Sequence, residues 1–163
     1  MPGNKRKRKA YRPKPMNPDA IANALAAHVP MEMGKQQDVQ IVAHQSLTAL
    51  ESGMGTEFDA EHLAVAMNLS MLLAEMGVGR EYLPLAIAGQ EAVVRCQERA
   101  KRLGKWGLDG PAITALRDAL ELHDEQAKAA TQKQMSAAVK EMHRRASVSE
   151  YVMKVENKER SPA

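Results

Sequence analysis

The sequence predicts an all-α fold, a small helical bundle of about five or six helices, on three observations. Aromatic residues make up 3% of the chain, while eleven Met and abundant Ala and Leu supply its apolar side chains; sheets draw on β-branched and aromatic residues, helices on Ala, Leu and Met. Apolar positions recur at three- and four-residue spacing through most of the chain. Glycine and proline gather between those periodic stretches, where they stop one helix and admit the next. With 163 residues, 44% of them hydrophobic, the chain suffices for one core and could bury roughly two-thirds of the surface its unfolded form exposes. The pattern divides it into a basic arm at 1–16, a helical domain at 17–147 and a polar C-terminal tail at 148–163.

The arm holds Lys5, Arg6, Lys7, Arg8, Lys9, Arg12 and Lys14, three prolines and no acidic residue. Such a composition does not offset its own ordering entropy, so disorder is expected there. Asn17 and Pro18 fit an N-cap and a first helical position, and Ile21, Leu25 and Val29 follow at four-residue spacing up to Pro30, which predicts a short first helix. A second helix is predicted from about Lys35 to Glu51, with Val39, Val42, Ala43, Leu47 and Leu50 on one side and Gly53 and Gly55 beyond its end. Thr56 with Asp59 three residues on resembles a capping box, opening a third helix whose stripe of Leu63, Val65, Leu69, Leu72, Leu73 and Met76 is wide enough for the centre of the bundle.

Gly77 and Gly79 then interrupt, and a fourth helix is expected from near Glu81 to Leu103, with Pro84 in its first turn and an inner face of Leu83, Ile87, Val94, Ala100 and Leu103. The glycine-rich stretch from Gly104 to Gly110 reads as a loop, with Trp106 plugging the end of the bundle. From Pro111, the three-four spacing of Ile113, Leu116, Leu120, His123 and Ala127 makes a seam that fits either a neighbouring helix of this chain or a second copy across a two-fold axis. Thr131 with Gln134 repeats the capping-box pattern, ahead of a last helix carrying Met135, Ala138 or Val139, and Met142.

The residues that carry catalysis or bind metal elsewhere do not converge here. None of His28, His44, His62, His123 and His143 stands three residues after a glutamate, and no His-Glu-x-x-His occurs, so they read as ordinary surface or partly buried histidines. His123, on the seam beside Glu121, Asp124 and Glu125, is expected to be hydrogen-bonded within the bundle. Cys96 has Arg95 and Arg99 near it but no histidine to act as base, and reads as a buried structural thiol. Gly77-Val78-Gly79 and the Gly104 to Gly110 loop lack the Gly-Lys-Ser/Thr ending of a phosphate loop. Met67, Met71 and Met76 read as core filler, with an adaptable helix-binding groove as the alternative. The expectation is a protein without a cofactor or metal, and not an enzyme.

Charge is the sharper signal. The whole chain has 23 basic and 20 acidic residues, so after the seven cations of the arm the remainder is left with a net −4. A cationic arm on an acidic body points to a polyanion for the first and a different partner for the second. The candidate nucleic-acid contacts are Lys5, Arg6, Lys7, Arg8, Lys9, Arg12 and Lys14 for phosphates, with Tyr11 to stack on a base. The same run would also serve as a nuclear-localisation patch or as an adhesive for an acidic protein. One cysteine cannot make an internal disulfide, and no segment has the apolar length of a membrane span or the core of a signal peptide, so a reducing interior and no membrane are expected.

The stretch from Gly104 to Gln126, GKWGLDGPAITALRDALELHDEQ, and the opening Lys7 to Pro15, KRKAYRPKP, resemble a family of small uncharacterised proteins carried by phages and prophages of proteobacteria. The resemblance extends over most of the chain, rests on motifs that are not catalytic, and brings no activity with it. It implies the cytoplasm of a bacterial host and an accessory role on a mobile element, which argues against the nuclear reading. The partners expected are DNA or RNA through the arm, a host protein, and a second copy of the chain. The rival expectation is an inhibitor of a host factor such as a bacterial defence or transcription component, acting through the helical surface.

Overall fold

The computed structural model describes residues 33–148, with side chains from residue 40 onward. The arm, the helix expected over 17–30, the Val39 side chain and the tail past Val148 lie outside the described residues. Five helices follow one another: α1 (Met33–Glu51), α2 (Glu57–Glu75), α3 (Leu83–Leu103), α4 (Gly110–Ala129) and α5 (Gln132–Ser147), with one 3-10 turn at Arg80–Tyr82. The fold is all-α, and the described residues contain no strand.

Two of the helix starts are set by the capping pairs expected from the sequence, Thr56 with Asp59 and Thr131 with Gln134, and a third by Asp109, which reads in the sequence only as part of a loop. Ahead of α2 the Thr56 backbone N–H and hydroxyl both donate to Asp59 Oδ2 at 2.8 Å. Burial pushes the Asp59 carboxyl up, but these bonds and the nearby His62 hold it below the ordinary carboxylate range. Asp109 Oδ1 accepts from the Ala112 N–H at 2.8 Å to open α4, with Pro111 in the first turn. At α5 the exchange is reciprocal: the Gln134 N–H donates to Thr131 Oγ1 at 3.2 Å and the Thr131 N–H to Gln134 Oε1 at 2.9 Å. Each cap satisfies a backbone donor that the helix cannot, a contribution of about 1 kcal/mol. At the end of α3, Gly104 takes φ +67, a left-handed conformation costly for any residue with a Cβ, and turns the chain toward α4.

α2 is the central helix and packs on all four others. Leu47, Leu50, Leu63, Met67, Val93, Leu116 and Leu120 form one end of the core, with Trp106 and Leu108 laid against it. Leu69, Leu72, Leu73, Leu122 and Ala138 form the other, flanked by Met135, Val139 and Met142. The seam of α4 is occupied inside the chain: Leu116, Leu120, His123 and Ala127 are buried, and α4 packs on α1, α2 and α3.

On two helices the expected inner face is met in part: Ala43, Leu47 and Leu50 of α1 and Ala100 of α3 are buried and Leu83 packs on the core, while some large apolar residues expected inside are exposed. On α3, Val94 and Leu103 are exposed, and the buried positions are Ala86, Gly89, Gln90, Ala92, Val93, Cys96 and Ala100. Small side chains let α3 approach α2 and α4 closely, and a Cβ placed on Gly89 would meet Met67 Sδ and lie 2.7 Å from Ala119 Cβ. On α1, Val42 is exposed and Ser46 takes the inner place beside Ala43, Leu47 and Leu50. Val65 and Met76 of α2 are likewise exposed.

Candidate functional site

The expected nucleic-acid contacts, Lys5, Arg6, Lys7, Arg8, Lys9, Tyr11, Arg12 and Lys14, lie outside the described residues. Within the described residues, three polar assemblies deserve a chemical reading.

The first joins α1 to α4. His123 is fully buried, and neither ring nitrogen has a hydrogen-bond partner among the described residues, so the expected bond within the bundle is not made. The other buried positions of that seam are Leu116, Leu120 and Ala127. Burial pushes its pKa below the ordinary value; Asp124 opposes that and His44 adds to it. The next residue, Asp124, pairs with His44 Nε2 at 2.8 Å through Oδ2, while its Oδ1 is buried without a partner. An open groove of about 1080 Å³ lies over this pair, lined by Gln40, Ile41, His44, Thr48, Met54 and Asp124 among others.

A histidine beside a carboxylate serves nucleophilic catalysis by a side chain when it faces a hydroxyl or thiol. The hydroxyls lining this groove are engaged elsewhere: Thr48 Oγ1 donates to the His44 carbonyl at 2.9 Å and Ser52 Oγ to the Ala49 carbonyl at 2.9 Å. The His44–Asp124 pair links α1 to α4, and Gln40 Nε2 donates to the Asp124 carbonyl at 3.3 Å beside it.

The second assembly secures the core around Gln126. Ser70 Oγ donates to Gln126 Oε1 at 2.6 Å, and Gln126 Nε2 donates to the carbonyls of Ser70 at 3.0 Å and Val78 at 2.8 Å. Every polar group of that side chain is satisfied, which is the condition for burying an amide without penalty. Cys96 is a buried thiol, donating to the Gly107 carbonyl at 3.5 Å, and burial pushes its pKa up. That is the opposite of what a thiolate nucleophile needs. Among the described residues, no group of three or more His, Cys, Asp and Glu side chains is placed to hold a metal ion.

The third concerns charge. On the body, four cations are matched to carboxylates, among them Arg117, which grips Glu51 at 3.0 and 3.1 Å, Lys128, which pairs with Glu125 at 2.7 Å, and Arg145, which joins Glu75 and Glu141 at 2.8 Å each. Arg80 donates instead to the Glu75 carbonyl, and Lys133 and Lys140 make no ion pair among the described residues. The end of α3 gathers the most cations of this second kind. Arg95, Arg99, Lys101, Arg102 and Lys105 are all exposed and make no ion pair or side-chain hydrogen bond among the described residues. Arg95, Arg99 and Arg102 line a recess of about 460 Å³ together with Glu98, Leu103 and Asp109. The spacing i, i+4, i+7 was visible in the sequence, where Arg95 and Arg99 read only as neighbours of Cys96.

No protein-family model, curated protein or solved structure matches this chain. No helix among the described residues is long and apolar enough to cross a membrane.

Proposed function

We propose that this is a non-enzymatic accessory protein of a phage or prophage, working in the cytoplasm of a bacterial host, in which residues 5–14 contact nucleic acid and the helical body contacts a protein. The observation that carries the nucleic-acid part is the separation of charge: seven cations and no acid in residues 1–16, against a net −4 over the remainder. Phosphates neutralised by lysine and arginine release condensed counterions, so full engagement of the arm would make log K fall against log salt with a slope of about −6 on B-form DNA. Tyr11 adds a stacking surface for an unpaired base. The arm carries no arrangement for reading base edges, so its contact is independent of sequence. The mobile-element setting rests on the resemblance of the Lys7 to Pro15 and Gly104 to Gln126 segments.

Deletion of residues 1–16 tests the reading. Binding to DNA or RNA is expected to collapse together with its salt slope, while thermal unfolding keeps its midpoint. Unchanged binding would remove the arm from the mechanism.

A second reading is favoured by one surface. Exposed Tyr82 and Leu85 lie in a groove with Asp118, Glu121 and Glu125, an acidic rim around apolar anchors that suits a basic protein. An inhibitor of a host defence or transcription component would use such a face. A host protein captured in stoichiometric amount, after nuclease treatment and with the arm removed, would decide for this second reading.

A further inference from the structure

We infer that the outer face of α3 is a second phosphate-binding surface, on which Arg95, Arg99 and Arg102 engage the backbone of the same nucleic acid that the arm holds. The inference rests on the nucleic-acid reading of the arm and extends it to the folded body.

Five of the 13 basic residues between positions 33 and 148 fall within 95–105, whereas the same 33–148 span carries 15 acidic residues. A body that is negative overall thus concentrates positive charge at one end. Neutralisation of the helix dipole accounts for only part of it. Lys101 and Arg102 stand in the last turn of α3, where cations offset the exposed carbonyl end. Arg99 and Arg95 stand about one and two turns earlier, beyond the last turn in which that effect acts.

Nor are these arginines held by the body's own carboxylates. Glu98 and Asp109 border the recess, yet neither takes a guanidinium, and Asp109 Oδ1 is committed to the Ala112 N–H. Elsewhere on the body Arg117 and Arg145 are paired to carboxylates, and Arg80 donates to the Glu75 carbonyl. Side chains at i, i+4 and i+7 lie along one side of a helix, here spaced by about 6 and 4.5 Å of axial rise. Guanidinium forks in such a row suit successive phosphates, because each presents paired N–H donors to non-bridging oxygens. The exposed Lys101 and Lys105 add charge beside the row. A polyanion with regularly repeated phosphates fits this row better than one compact anion, which a single pair of arginines would satisfy.

The test compares five forms: the intact chain, the chain lacking residues 1–16, the triple variant Arg95→Gln, Arg99→Gln, Arg102→Gln in the intact chain, the same triple substitution in the chain lacking residues 1–16, and a control with Lys133→Gln and Lys140→Gln on α5. Each is titrated with DNA and RNA duplexes of about 30 base pairs over a range of salt, and with poly-glutamate. The triple variant is expected to fold with an unchanged helical circular dichroism spectrum, to bind duplex about tenfold or more weaker at moderate salt, and to have a salt slope smaller by about 2 to 3. The control is expected to match the intact chain.

An unchanged duplex slope in the triple variant, with binding abolished by arm deletion, overturns the α3 surface and leaves the arm reading standing. Failure of the intact chain to bind either duplex at low salt overturns both. Loss of poly-glutamate binding alone overturns the inference in favour of an acidic protein partner. Residual duplex binding of the arm-deleted chain that the triple substitution then abolishes supports it directly.

Discussion

His123 is the residue whose chemistry departs furthest from its sequence context. Polar neighbours at Glu121, Asp124 and Glu125 suggest an imidazole with partners, but successive residues on a helix point in different directions, so neighbours in sequence are not neighbours on the seam. The ring is buried, and both of its nitrogens are without a hydrogen-bond partner among the described residues. An unpartnered buried polar group costs about 1 to 3 kcal/mol, so His123→Leu, of similar bulk, is expected to raise stability by about 1 kcal/mol at neutral pH, read from urea midpoints. The pH dependence follows from the direction of the shift. Because the folded-state pKa lies below the ordinary 6.5, the unfolded chain takes up a proton that the folded chain refuses. Stability from this group is thus present above pH 6.5 and falls as pH drops below it, by up to about 1.4 kcal/mol per pH unit. Thermal midpoints measured from pH 7 to pH 5 should fall for the native chain and fall less steeply for His123→Leu; equal slopes would assign the acid sensitivity to other groups.

At the scale of elements, starts and stops were legible and inner faces were less so. Thr56, Pro111, Thr131 and Gly104 announce boundaries through local chemistry that a reader of the sequence can apply directly, and the structure places those boundaries there, with Asp109 as a cap that the sequence reading passed over. The inward face of α3 was hidden because it is built from Ala, Gly and Cys, whose apolar signal is weak, while Val94 and Leu103 advertise the wrong side. Close approach of helices selects small residues, and apolar periodicity weighs large ones. Gly89 marks the tightest point, and Gly89→Val should cost about 3 kcal/mol, the upper end of overpacking penalties, since Ala119 Cβ is fixed to the α4 backbone and cannot rotate away. A chemical-denaturation midpoint within error of the native one would show that α3 shifts outward freely. Loss of the α5 cap by Thr131→Ala should cost about 1 kcal/mol in the same assay.

Across the whole molecule, the organisation of charge was half legible. The cationic arm stands out because five of its seven charges are contiguous and no acid interrupts them, whereas Glu91 precedes the α3 row and Glu98 falls within it, at spacings that commonly form i, i+4 pairs on a helix. Only the folded chain reveals that those carboxylates leave Arg95 and Arg102 unpaired, since side-chain conformation and not spacing decides which partner is taken. Charge also determines how the last helix is held. α5 packs on α2 and makes no comparable contact with the other helices. Across that junction Arg145, nearly buried, reaches Glu75 of α2 at 2.8 Å while Glu141 of α5 orients it at 2.8 Å. The guanidinium hydrogen bonds from Arg144 and Arg145 hold the Glu141 carboxyl down at about 2. A helix docked on a single neighbour is the segment that opens first in local unfolding. Arg145→Met keeps the apolar stem and removes the bridge, so amide hydrogen exchange is expected to speed up across residues 132–147 while α1 to α4 retain their protection. Faster exchange spread evenly over all five helices would mean that α5 belongs to the same cooperative unit as the rest, and that the Arg145 bridge supports the bundle as a whole.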